Sequence, residues 1–113
     1  MTAKRVIIEF GTGNDLHGGD YTKAAIRAVE DALHHSSLTM LRNLKVDPGT
    51  MQVQVTIGVQ QPKQVDRARV AAKLPIGQIS VEAVKGGLDV PDDEGDDIAV
   101  IATAAIDVYL DLP

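Results

Sequence analysis

Met51-Gln52-Val53-Gln54-Val55-Thr56-Ile57-Gly58-Val59 alternates apolar and polar side chains without a break. Period two puts Met51, Val53, Val55, Ile57 and Val59 on one face of an extended strand and Gln52, Gln54, Thr56 and Gly58 on the other. Asp47-Pro48-Gly49-Thr50 just before it has the chemistry of a turn. Pro62 just after it opens a short helix ending near Leu74-Pro75, with Val65, Val70, Ala71 and Leu74 as its inward residues. Upstream, the β-branched run Arg5 to Phe10 is a short strand, and the glycine-rich stretch that follows is its exit. Ala25, Val29, Ala32, Leu33 and Ser36 then recur at helical spacing, with Lys23, Arg27, Glu30 and Asp31 for the wet side. Residues 21 to about 40 therefore read as an amphipathic helix with Asp20 as N-cap. Downstream, Gln78 to Lys85 is a third strand with Ile79, Val81 and Ala83 on one face, and Ile98 to Leu110 is a long apolar fourth. The order β-α-β-α-β-β predicts a two-layer α/β sandwich, a four-stranded mixed sheet with two helices on one face.

The 113 residues suit one domain, 1–113, and only Phe10, Tyr21 and Tyr109 are aromatic, so Val, Ile, Leu and Ala must build the core. Without cysteine there is no disulfide, thiolate chemistry or sulfur-ligated metal. No apolar run approaches the roughly 20 residues of a membrane span, and the start lacks a signal-peptide core, so a cytoplasmic location is expected. The net charge of −5 is local: Asp89, Asp92, Asp93, Glu94, Asp96 and Asp97 fall in one acidic loop, expected to be solvated and mobile. That loop lacks the spacing and the closing Glu of a calcium-binding EF-hand. With those six set aside, acids and bases nearly balance, and the dense basic stripe that nucleic acid or a membrane surface demands is missing.

Two helices cannot cover both faces of a sheet. The side facing away from them is expected to carry Gln52, Gln54 and Thr56 in the second strand and Ala99, Ile101, Thr103 and Ala105 in the fourth, all uncharged. A face of that composition predicts a homo-oligomer, trimeric or larger, whose copies meet there. The alternative is a central strand with a thin wet face.

Gly11-Thr12-Gly13-Asn14-Asp15-Leu16-His17-Gly18-Gly19-Asp20 packs four glycines and three ionisable groups between a strand and a helix, where α/β proteins place ligands. Leu16 stands where the dinucleotide fingerprint needs glycine, and Gly18 is not followed by the lysine of a phosphate loop. Asp15 and His17, two apart, project together from an extended backbone, so the carboxylate can orient the imidazole as a general base. Asp15, His17 and Asp20 can also present two oxygens and a nitrogen to zinc or manganese. Gly11, Gly13, Asn14, Gly18 and Gly19, with Lys85 at the end of the third strand, are the candidate contacts for a small polar molecule. The structural reading of the same residues makes Asp20 a helix cap, Asp15 an anchor of the turn and His17 a surface residue. His34 and His35 suit the favourable end of the helix dipole, and Ser36, Ser37 and Ser80 lack a nucleophile setting. Lys63, Arg67, Arg69 and Lys73 form two four-apart pairs on the second helix, most simply a solvated face, otherwise a carboxylate clamp in an oligomeric cleft.

As a unit, Gly11-x-Gly13-x-Asp15-x-His17-Gly18 resembles the GxGxDxHG signature of the Lin-type conserved hypothetical proteins of bacteria and plants, matching every motif position. The resemblance would cover essentially the whole chain and marks those five residues as functional without assigning roles. The element order also resembles the chorismate-mutase-like fold, whose trimers place ligand clefts between subunits, a likeness of architecture alone. Together these readings predict a homo-oligomeric small-molecule-binding protein with a polar cleft at Gly11 to Asp20. A hydrolase or isomerase using His17 and Asp15, or a non-catalytic assembly module, are the alternatives.

Overall fold

The structure, a computed structural model, describes residues 3–34 and 47–111. In chain order the elements are β1 (Ala3–Asp15), α1 (Tyr21–His34), β2 (Gln52–Val59), α2 (Arg67–Ala71), β3 (Gln78–Lys85), β4 (Leu88–Pro91) and β5 (Ile98–Asp111). Single 3-10 turns at Pro48–Thr50 and Pro62–Gln64 precede β2 and α2.

The two-layer α/β sandwich is present, with five strands among the described residues rather than four. The sheet order is β1-β5-β2-β3, with β4 paired to β5 beyond the end of β2. β5 is antiparallel to β1, β2 and β4, whereas β2 and β3 are parallel, so the sheet is mixed. β1, β2 and β3 therefore run the same way and end on the same side of the sheet. α1 packs on β1 and β5, and α2 packs on β3 and against α1, so both helices cover one face.

Period two assigns each strand residue to a face. Val53, Val55, Ile57 and Val59 of β2 and Val100, Ala102, Ala104, Ile106, Val108 and Leu110 of β5 are buried beneath the helices. On α1, Ala24, Ala28 and Ala32 form a ridge at four-residue spacing, all fully buried with Ala25 and Val29. The expected inward residues Val65, Val70 and Leu74 are buried, and Ala71 is half-buried. The single helix expected from Pro62 is broken: Val65 is extended, and Asp66 caps a new start by accepting from Arg69 N.

Two further expectations change. β1 does not stop at Phe10 but continues through the glycines to Asp15, paired with β5 throughout. Gly11 and Gly13 occupy inward positions against the alanine ridge, where any Cβ would overlap the backbone of α1 at Ala28, Ala32 and Ala24. These glycines thus set the helix-to-sheet distance, which demands the absence of a side chain rather than a turn. The acidic stretch is likewise not one loop. Leu88–Pro91 forms β4, and the chain returns to β5 through a hairpin closed by Asp92 N to Asp97 O and Gly95 N to Asp92 O, both 2.9 Å.

α1 also covers the free edge of β1, since Asp31 accepts from Thr12 N at 2.9 Å and Arg27 donates to Asn14 O at 2.6 Å. Among the described residues no helix is long and apolar enough to cross a membrane. The continuation of α1 expected to about residue 40, with His35, Ser36 and Ser37, lies outside the described residues.

Candidate functional site

Asp15, the last residue of β1, points inward and its side chain is only 3% exposed. Its Oδ2 accepts from Asp20 N at 2.9 Å, and its Oδ1 lies 3.6 Å from Lys23 Nζ and 3.7 Å from Arg27 NH1. A carboxylate this buried must be compensated, and here the start of α1 does it. Asp20 in turn accepts from Lys23 N at 3.0 Å, the expected N-cap.

Between these two acids the chain reverses through Leu16, His17, Gly18 and Gly19. Gly18 (φ 95°) and Gly19 (φ 60°) adopt left-handed conformations, and a Cβ at Gly19 would press on Ile98. His17 is swung outward with its side chain 88% exposed, and its Nδ1 is 3.1 Å from Asp97 Oδ2. The carboxylate that orients His17 is therefore Asp97, at the start of β5, and not Asp15. The two-residue argument fails because β1 ends at Asp15, so alternation does not extend to His17.

Asp97 also accepts from Gly18 N at 2.9 Å and from Ile98 N at 2.8 Å through Oδ1. Those two N–H donors, followed by the His17 imidazole, hold its carboxyl below the ordinary carboxylate value. With Asp97 accepting at Nδ1, that nitrogen carries the proton, so the neutral ring keeps Nε2 as its basic nitrogen. This is the geometry of an oriented general base or a single ligand.

His17 lines a cleft of about 360 Å³ between the loop and the β4–β5 hairpin, together with Leu16, Val90, Asp92, Asp93 and Asp97. Its walls are apolar and its polar side chains are three carboxylates and one imidazole. Behind it, Tyr21 OH donates to Asp89 Oδ2 at 2.6 Å, tying the first turn of α1 to β4. That hydrogen bond, then burial, then the charge of Asp89 push the phenol up to about 12.

The remaining expected contacts separate. Gly11 and Gly13 lie under α1, Asn14 gives its carbonyl to Arg27, and Gly18 gives its N–H to Asp97. Lys85 ends β3, three strand positions from β1, or about 14 Å at ordinary strand spacing. Among the described residues no three metal-ligating side chains gather. Asp15, His17 and Asp20 do not form the expected zinc or manganese set, because Asp15 faces the helix, Asp20 caps it and His17 turns the other way.

Asp97 and Asp89 were absent from the expected site. Asp97 meets His17 across 80 residues of sequence, and no local pattern signals a contact of that separation. For Asp89 a signal did exist, since Leu88-Asp89-Val90 alternates as a strand does.

Among curated proteins none matches the chain. Among solved structures it is similar to that of an FtsZ-like protein of unknown function from Nostoc punctiforme, 35% identical over 99% of both chains with a TM-score of 0.85. A model of the family described as conserved hypothetical protein (Lin0512_fam) matches residues 5–108. Residues 11–18, on the end of β1 and the outward loop, thus lie inside the matched region, and the chain belongs to the Lin0512_fam family.

Proposed function

We propose that this chain acts as a homo-oligomer that binds a small polar molecule in the cleft beside His17, at or next to the boundary between copies. The observation that carries this reading is where the exposed apolar side chains lie. Ile8, Phe10, Val84, Leu88 and Val90 are all exposed, and strand register assigns all five to the helix-free face. Among the described residues, the only other large exposed apolar side chains are Val6, in the β1 irregularity between Arg5 and Ile7, and Leu16, in the loop. Phe10, the single Phe, is 67% exposed and sits opposite Ala105, in a row continued by Thr56. A phenylalanine ring held in water on a mostly uncharged sheet face favours association through that face. Val90 and Ala99 belong to it and also line the cleft, so a copy docked there would meet the cleft's edge.

Native mass spectrometry of the protein as purified tests both parts. The expected result is an oligomer carrying a small bound mass that His17→Ala removes while the melting temperature stays nearly unchanged. A monomer at micromolar concentration, or a large loss of stability with no loss of bound mass, refutes it. A second reading rests on the His17–Asp97 pair: the same cleft would perform acid/base chemistry, hydrolysis or isomerisation, with His17 as base and Asp97 in the orienting role. Turnover with a bell-shaped pH profile, lost in His17→Ala, separates this from binding alone.

A further inference from the structure

We infer that a second, electrostatic contact joins copies of this chain: the acidic β4–β5 hairpin of one copy seats in the basic groove between α1 and α2 of the next. The groove encloses about 420 Å³, and Lys23 and Arg27 approach it from α1, Arg69 from α2 and Lys73 from the turn after α2, with Glu30 the single acid among the described lining residues. On α1 the two cations stand at four-residue spacing on one face of the helix, and across the groove Arg69 of α2 is joined by Lys73 from the turn that ends that helix. Lys23 and Arg27 already share Asp15, but Arg69 and Lys73 have no ion-pair partner among the described residues. Ile26 and Ala72 supply the groove's apolar lining.

The complementary surface is on the same chain. Asp92, Asp93, Glu94 and Asp96 are all exposed on a tight hairpin that holds no basic residue, and none has an ion-pair partner among the described residues. Two backbone hydrogen bonds hold that tip as a convex, concentrated negative charge, and the groove is concave and positive. Opposite potentials of matching shape steer association and fix its register. A tip entering a groove is a heterologous contact, which closes into a ring or propagates as a filament. It uses the helix layer and the hairpin, so it is separate from the helix-free face and independent of the proposal above. It also brings cations of one copy to the mouth of the next copy's His17 cleft, since Asp92 and Asp93 border both.

Sedimentation velocity at low and high salt on two charge-reversed proteins tests this. One carries Arg69→Glu with Lys73→Glu, the other Asp93→Lys with Glu94→Lys, and all four positions are exposed. The parent is expected to show an association step that weakens about tenfold or more as salt screens it. Each variant alone should lose that step, because like charges then face each other. An equimolar mixture should regain it, since both kinds of contact between unlike variants are again attractive, and unfolded protein cannot mimic that recovery. A parent without a salt-sensitive step, variants that associate as the parent does, or a mixture that fails to recover each overturn the inference. If the groove serves a small anion instead, citrate will raise the melting temperature of the parent but not of the Arg69→Glu/Lys73→Glu protein, with no salt-sensitive association.

Discussion

Gly13 faces helix backbone so closely that a single methyl group decides the distance between the two layers. A Cβ there overlaps Ala28 N and Ala24 O, neither of which can swing aside as a flexible side chain would. Gly13→Ala is therefore expected to destabilise by about 3 kcal/mol, or roughly 10 °C in melting temperature, measured by circular dichroism. Thr12→Ala, one residue away on the open face, should cost far less, because its amide still reaches Asp31. Tyr21 makes a different kind of argument. Asp89 Oδ1 is buried without a hydrogen bond among the described residues, so Tyr21 is the donor on which that carboxylate depends. Tyr21→Phe should cost about 1–3 kcal/mol by leaving the acid unpaired. The phenol is raised in the fold from 10.0 to about 12, so its contribution is complete below pH 10 and drains away as pH climbs toward 12. The parent should accordingly lose stability over that interval more steeply than Tyr21→Phe, which has no phenol to ionise.

Loop 16–19 and the β4–β5 hairpin are held together by one side chain, that of Asp97. It gathers two backbone N–H groups and an imidazole, one of them from its own strand and two from the loop. Its carboxyl is lowered in the fold, so the stability it supplies is present above the ordinary value of 3.8 and disappears as pH falls through the lowered one. Asp97→Asn keeps an acceptor for Gly18 and Ile98 but has no charge to protonate. It should be less stable than the parent at neutral pH, and its melting temperature should converge on the parent's in acid below that value. The elements differ in how legibly the sequence announces them. α1, β2 and β3 follow a single period from end to end, so patterning places them. The second half of β1 is hidden because glycine reads as a strand exit, although Gly11 and Gly13 alternate with Thr12 and Asn14 and match the four-residue alanine ridge of α1. β4 is four residues long and embedded among acids, so composition masks its alternation. The insertion of β5 between β1 and β2, and with it the meeting of Asp97 and His17, depends on pairing between distant segments, which no local window records. The candidate site was legible in His17 and in the cap at Asp20, but the partnership that makes His17 chemically interesting was not.

At the scale of the molecule, the two faces of the sheet are not equivalent. One is sealed by α1 and α2, and the other presents Ile8, Phe10, Leu88 and Val90 around a floor of Ala99, Ile101 and Ala105. Charge on that face is sparse: Asp107, tied to Arg5 at 3.6 Å, and Asp111 lie near one end of the strands, and Glu82 lies on β3. Burying one Phe side chain contributes about 2–3 kcal/mol, and a closed assembly repeats that gain at every copy. Phe10→Lys reverses it without touching the core, because the ring already stands in water in the single chain. Its dissociation constant should therefore rise about a hundredfold, while a dilute sample unfolds at the parent's temperature. The distinction from the hairpin contact is ionic strength. Apolar burial is insensitive to screening, so the assembly that Phe10→Lys dissolves should persist in high salt, where the hairpin-to-groove step has vanished. Sedimentation equilibrium on Phe10→Lys, repeated at both salt concentrations, reads the two contacts separately. If Phe10→Lys assembles as tightly as the parent in high salt, the helix-free face is not where copies meet, and its exposed aromatic ring must serve something other than self-association.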